Sequence, residues 1–290
     1  MSTPPRRLRT ADYLPAGEFP VTVQHHAAVA AGTLHGHEFS ELVMVTGGAG
    51  LHVTGRDSWQ LSAGDVFVLA GAREHRYDRT EKLSLYNVLY DESRLALPGA
   101  DLGQLEGYHA LFRLEPAWRH RHAFRSRLHL APEELARAEA LVRELAAELD
   151  ARAPGHACMA AALFAQLVCF LSRQYGRSRE SSTRALLRLG RVIAHLEQNL
   201  DRPATLDGLA EMAGMSRRSF QRAFREAMGA SPIDYLLRLR LRRAAALLRE
   251  GPESVTRVAM AAGFSDSNYF ARQFRRAMGA SPREYRRRGR

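Results

Sequence analysis

The chain has 290 residues, 42 Lys plus Arg against 31 Asp plus Glu, and a formal net charge of +11. That length suggests about two domains, each able to bury a core of its own. No charged n-region followed by an apolar h-region opens it, and no run of about 18 uncharged apolar residues offers a membrane span, so a cytoplasmic protein with no membrane partner is expected.

The charge is unevenly placed: residues 184–290 carry 22 Arg against 10 acidic groups, net +12, which leaves residues 1–183 at −1. A compact basic half beside a near-neutral one is the footprint of a polyanion binder. Cys158 and Cys169 lie in one apolar run; on a helix they stand about 16 Å apart, too far to bond, and read as thiols of a reducing compartment.

From about residue 20 to 91 the pattern is short and alternating: "VTVQHHAAVA", "ELVMVTGG", "GLHVTGRD", "WQLSAGDVFVLAG" and "KLSLYNVLYD". Turn signals such as Gly47-Gly48 separate the segments, which predicts an all-β sandwich or barrel over residues 1–105. In "HGHEFSELVMVTGG", His35, His37 and Glu41 occupy odd positions of one extended segment and so point to one face, with His75 arriving on a different strand. This set resembles the metal motif of cupins, although Ala70 and Arg79 replace the Pro and Asn usual there. Imidazoles and a carboxylate could hold a transition metal. Three readings stay open: a metalloenzyme, a non-catalytic metal or effector pocket, and satisfied polar residues at a barrel mouth. His35, His37, Glu41 and His75 are the effector candidates, with Arg73, Trp59 and Tyr77 as weaker ones. No cofactor is expected.

From about 132 the period becomes helical. In "PEELARAEALVRELAAELDARA", Leu135, Ala138, Leu141, Val142, Leu145 and Leu149 form a stripe bounded by Pro132 and by Pro154-Gly155. With the apolar stretch 156–175 this gives a helical segment over 106–176, for packing or dimerisation. "GRSRESST" reads as a linker, 177–184.

Residues 185–290 are helical and duplicated. "LAEMAGMS" at 209–216 returns as "VAMAAGFS" at 258–265, and "FQRAFREAMGASP" at 220–232 as "FARQFRRAMGASP" at 270–282. Each copy predicts a helix, a turn at Gly214 or Gly263, a capping Ser and a second helix closed by Gly229 or Gly279, the helix-turn-helix pattern. Phe220, Ala223, Phe224, Ala227 and Met228 form the expected buried stripe of the first copy, and Phe270, Phe274, Ala277 and Met278 that of the second. Arg218, Gln221, Arg222 and Arg225 then face outward, as do Ser267, Asn268, Arg272 and Arg275. Arg, Gln and Asn on an exposed face are the groups that pair bidentately with base edges in a major groove. The intervening helix of about 18 residues, roughly 27 Å, would set two reading helices on successive groove segments of double-stranded DNA.

These C-terminal motifs, with "SPIDYLLRLRLRRAAALL" and "GFSDSNYFARQFRRAMGASPREYR", resemble the DNA-binding domain of AraC-type transcriptional regulators. The barrel segments "HEFSELVMVTGGAGLHVTGRDSWQLSAGDVFVL" and "LSLYNVLYDESRL" look most like the L-rhamnose-responsive activators of that family. The resemblance implies an α+β chain: an N-terminal cupin-like β-barrel with a helical dimerisation segment, then an all-α domain with two helix-turn-helix units. It further implies a homodimeric activator of sugar catabolism rather than an enzyme, with a sugar effector, DNA and RNA polymerase as partners. The alternative is a metal-dependent cupin enzyme acting on a sugar, with an attached DNA-binding domain.

Overall fold

In a computed structural model the described residues are 6–55, 57–70, 74–95, 97, 99–119, 127–178 and 181–288. They form two compact units, residues 1–190 and 191–290.

The first unit opens with β1 (Arg6–Leu8) and the short helix α1 (Thr10–Tyr13). Then come β2 (Val21–His26), β3 (His35–His37), β4 (Ser40–Thr54), β5 (Asp57–Ser62), β6 (Asp65–Leu69) and β7 (Arg76–Tyr90). β1 pairs in parallel with β3 in a small sheet of its own. The main sheet runs β2-β7-β4-β6-β8, with β8 at Leu128–His129 and β5 also paired to β4.

The expected closed barrel is not what the strands make: among the described residues the sheet ends at β2 and β8, which are not paired to each other. It is creased instead. Gly47-Gly48, expected as a turn between two strands, lies inside the single strand β4, where the register against β7 shifts between Val45 and Leu51. Gly48 has φ +69°, and a Cβ on it would fall 2.1 Å from the Lys82 carbonyl oxygen, so only glycine fits. Lys82 itself has φ +48°, and Gly64, between β5 and β6, has φ +98°. The neighbouring strands β4 and β7 thus both depart from regular geometry at one level, as bulges allow. Inside the crease Val43, Val45, Leu61, Phe67, Leu69, Tyr77, Leu83 and Leu85 form a buried cluster.

Leu42, Met44, Val66, Val68 and Val88 alternate with that cluster and are also buried. On that side lie α2 (Gly99–Leu102), α3 (Glu106–Tyr108), a π-helical turn (His109–Leu114), α4 (Glu115–Arg119), α5 (Pro132–Ala151) and α6 (His156–Arg177). The π-turn and α4 pack on β6, and α5 packs on β2 and α6. The stripe of α5, expected to serve packing or dimerisation, packs within its own unit: Ala138, Leu141, Val142 and Leu145 are buried there, and Leu135 and Leu149 are half-buried. By length and composition alone α6 is apolar enough to cross a membrane. Its Phe164, Leu167, Val168 and Leu171 are nonetheless buried in this core, and Phe164 meets the Tyr90 ring at 5.3 Å.

Of the expected linker, Arg177 closes α6 and Ser181 opens α7 (Ser181–Gln198), while residues 179 and 180 lie outside the described set. The second unit continues with α8 (Leu206–Met212), α9 (Arg217–Met228), α10 (Pro232–Glu250), α11 (Val255–Ala261), α12 (Ser267–Met278) and α13 (Pro282–Arg288). Thr205, Ser216, Ser231, Ser254 and Asp266 cap successive helices by accepting main-chain N–H bonds. Gly229 and Gly279 end α9 and α12 in the left-handed region. Each repeat is held by the same aromatic triad: Phe220, Phe224 and Tyr235 stand 5.6 Å apart in sequence, and Phe270, Phe274 and Tyr285 repeat this at 5.4 and 5.3 Å.

Candidate functional site

The crease and the β1–β3 pair enclose a cavity of about 310 Å³ in the first unit. That lies at the lower end of the range of small-molecule sites. Leu8 and Tyr13 line it from the N-terminal segment, Gln24 and His26 from β2, His35 and His37 from β3, Glu41 from β4, and Tyr77, Leu85, Asn87 and Leu89 from β7.

The four effector candidates come together, though from three segments rather than from one strand and a distant one. The strand expected through His35, His37 and Glu41 breaks after His37 and resumes at Ser40. His35 and His75 exchange main-chain hydrogen bonds of 3.0 and 2.8 Å, which brings their rings to 4.4 Å. His37 Nε2 lies 3.0 Å and His75 Nε2 3.6 Å from Glu41 Oε2. His37, Glu41 and His75 are buried; His35 is half-buried at the cavity wall. Burial alone would push the Glu41 carboxyl up; His37, His75 and His35 outweigh it and hold the group below its ordinary value, as the carboxylate.

Tyr77 also lines the cavity, and burial, then the Glu41 charge, push its hydroxyl well above the usual tyrosine value. Trp59 instead packs edge-on against His52 at 4.3 Å and belongs to the core. Arg73 lies outside the described residues. Sequence reasoning missed Gln24, His26 and Asn87. Gln24 and Asn87 are cross-strand partners in the β2–β7 ladder, a pairing between strands some sixty residues apart that alternation within either strand does not reveal. Tyr77 Oη and Asn87 Oδ1 are buried with no hydrogen-bond partner among the described residues.

A second polar cluster is structural. Asp65 is fully buried and accepts hydrogen bonds from the Ser62 amide (2.8 Å), Arg127 Nε (2.7 Å) and His129 Nδ1 (2.9 Å), which fastens β8 to the β5–β6 corner.

In the second unit, α9 buries Phe220, Phe224 and Ala227 and exposes Arg218, Arg222 and Arg225; Gln221 is half-buried. On α12, Ser267, Asn268, Arg272 and Arg275 are exposed over buried Phe270 and Phe274. Ala223, Met228 and Met278, expected in the buried stripes, are half-buried, and Ala277 is exposed. The stripe of α12 is narrower than that of α9, since Ala277 is exposed where its counterpart Ala227 is buried. Exposed Arg276 and Tyr269 adjoin this face and were not anticipated.

Comparison with known proteins agrees with both halves. Residues 24–168 match the model of the AraC-like ligand binding domain, and residues 209–288 that of a helix-turn-helix domain. The chain is 32% identical over 267 residues to the HTH-type transcriptional activator RhaR of Klebsiella pneumoniae subsp. pneumoniae, covering 91% of this chain and 90% of that one. It is 32% identical over 272 residues to the HTH-type transcriptional activator RhaS of Escherichia fergusonii, covering 91% of each. Among solved structures, it is similar to a regulator with an AraC-type DNA-binding domain from Chromobacterium violaceum, at 33% identity over 35% of this chain and 91% of that chain, TM-score 0.34. RhaR and RhaS are transcriptional activators, not enzymes, and the chain belongs with them to the AraC family of DNA-binding transcriptional regulators.

Proposed function

We propose that this regulator activates genes of sugar catabolism when a monosaccharide, L-rhamnose in the first instance, occupies the cavity of the first unit. The observation that carries the reading is the pair of buried, unpartnered polar atoms on the cavity wall, Tyr77 Oη and Asn87 Oδ1. Buried polar groups without a protein partner are rare and call for a ligand or ordered water. Around them the lining is mixed: Gln24, His35, His37 and Glu41 can bond hydroxyls, and Leu8, Phe39, Leu85 and Leu89 give an apolar wall. A 6-deoxyhexose offers both surfaces, a run of hydroxyls and a methyl group. The names of the relatives support the same sugar.

The exposed Arg, Asn and Ser side chains of α9 and α12 read base edges in two successive major-groove segments, with α10, 19 residues and about 28 Å long, as the strut between them. The active form is a cytoplasmic homodimer on paired half-sites that contacts RNA polymerase. The effector acts by binding the two states of the regulator with different affinity.

Thermal unfolding of the purified chain against L-rhamnose, L-arabinose and other monosaccharides tests the effector. A sugar at 100 times its dissociation constant adds about 2.7 kcal/mol of stability. A shift with L-rhamnose alone supports the reading; equal or absent shifts across the panel reject it.

A further inference from the structure

The end of β7 borders a cavity on each of its two faces. Asn87 and Leu89 line the one described above; Tyr90, the next residue, points to the opposite side of the sheet and lines a second cavity of about 200 Å³. Its other walls are Tyr108 and Phe112, from α3 and the π-turn, and Phe164 and Val168, from α6.

The size and the walls of this space set it apart from a packing fault. Native cores leave few voids larger than a water molecule, and an apolar cavity of about 150 Å³ is enough to take up benzene. The walls are also held at their spacing from beside the cavity. A Cβ on Gly107 would fall 2.0 Å from the Ser172 carbonyl oxygen, so α3 and α6 already touch main chain to main chain and cannot close further. Next to that contact, Tyr175 Oη donates a 2.9 Å hydrogen bond to Glu115 Oε1 and ties α6 to α4. A π-turn is itself a feature that recurs at functional sites.

The lining chemistry selects the occupant. The Tyr90 and Phe164 rings meet at 5.3 Å and those of Tyr108 and Phe112 stack at 5.6 Å, so aromatic rings bound most of the space. Glu92, exposed just beyond β7, is the single charged group among the described lining residues. Its charge reaches the Tyr90 hydroxyl, whose pKa is raised first by burial and then by this carboxylate. A lone carboxylate repels acids and phosphates, and aromatic faces attract cations. The Arg113 guanidinium, 5.8 Å from the Tyr108 ring centre, shows that ring already serving a cation. We propose that this second cavity binds a small primary amine carrying one aromatic ring, with the ring among Tyr108, Phe112 and Phe164 and the ammonium at Glu92. The assignment stands apart from the sugar cavity and does not depend on what fills it.

The test is calorimetric titration of the full-length chain, without any sugar, with phenethylamine, its neutral analogue phenethyl alcohol and its anionic analogue phenylacetate. The amine is expected to bind at least about fivefold more tightly than the alcohol, and phenylacetate more weakly than either. Glu92→Gln, an exposed and nearly isosteric change, is expected to weaken the amine by at least about fivefold and to leave the alcohol unaltered. Glu250→Gln, exposed in the second unit, leaves both as they are. Val168→Phe fills the space and is expected to abolish binding of both. Circular dichroism confirms that each variant is folded; Glu92→Gln carries the test should Val168→Phe unfold. An amine bound no better than the alcohol overturns the proposal. So does amine binding unaltered by Glu92→Gln, a result that would instead seat the amine in the first cavity, against Glu41.

Discussion

The glycine of the second helix-turn-helix turn invites a quantitative test. Gly263 has φ +90°, and a Cβ there would lie 2.0 Å from the Leu200 carbonyl oxygen and 2.8 Å from Arg240 Nε. That carbonyl accepts a 2.6 Å hydrogen bond from Arg240 Nε, whose guanidinium also donates to the Arg202 carbonyl at 2.8 Å through Nη2. Gly263→Ala must therefore place a side chain at positive φ, at about 1–2 kcal/mol, and displace an acceptor of at least one charge-assisted bond, at about 1.5–3 kcal/mol. The sum is about 2.5–5 kcal/mol. Gly229 supplies the control: φ is +66°, but a Cβ meets nothing within 4 Å, so Gly229→Ala costs only the backbone penalty, about 1 kcal/mol. For a unit of about 100 residues these translate to melting-point losses of roughly 10 °C or more and about 5 °C. Circular dichroism of the full chain gives the melting points, and hydrogen exchange in α11 and α12 locates the loss. Equal melting points for the two variants would refute the close-packing argument and leave only the shared backbone penalty.

Three other outcomes follow. Arg222→Ala should weaken specific DNA binding by about 1–3 kcal/mol and relax preference at one base position; selection from a randomised duplex library compares it with wild type, and unchanged affinity with an unchanged consensus removes Arg222 from base reading. Asn87→Ala should reduce sugar affinity by at least about 1 kcal/mol, read by calorimetric titration; undiminished affinity sets Asn87 apart from the ligand. Tyr90 is buried, and that burial raises its pKa above the ordinary tyrosine value of 10.0. Its stabilising contribution is complete below pH 10 and is lost as pH rises, because the unfolded chain releases the proton first. Denaturant unfolding at pH 9 to 11.5 should accordingly fall more steeply for wild type than for Tyr90→Phe, and parallel curves would contradict this.

The second unit was legible in the sequence because every signal there is local. Phenylalanines at i and i+4, a capping Ser or Asp and a closing glycine occur within about fifteen residues, and the repeat at offset 49 to 50 states them twice. The sheet was harder. In β4 the positions facing the crease cluster are odd at Val43 and Val45 but even at His52, which packs on Trp59, Phe67 and Tyr77, because the register shifts change the parity. Read along the chain, that change looks like the end of one strand and the start of another, and the glycines at 47 and 48 reinforce the impression. Strand closure and the Gln24–Asn87 pairing depend on distant registers, which single-strand patterns do not encode. His35, His37, Glu41 and His75 could be grouped beforehand because their spacing resembled a known motif. Ser181 and its neighbours, polar enough to suggest a linker, begin a helix whose apolar stripe comes only later, at Leu186, Val192, Ile193 and Leu196.

The doubled aromatic triad has a further consequence for how such a regulator can change. The cluster around Phe270 and Phe274 draws on α10, α11 and α12 and includes no residue of α9. A substitution on the outer surface of α9 leaves that cluster untouched. If α9 and α12 read DNA as proposed above, the two helices can drift independently, one absorbing a change in its part of the operator while the other keeps its grip. A duplicated helix with its own anchor in each copy lets new promoters be acquired a few bases at a time.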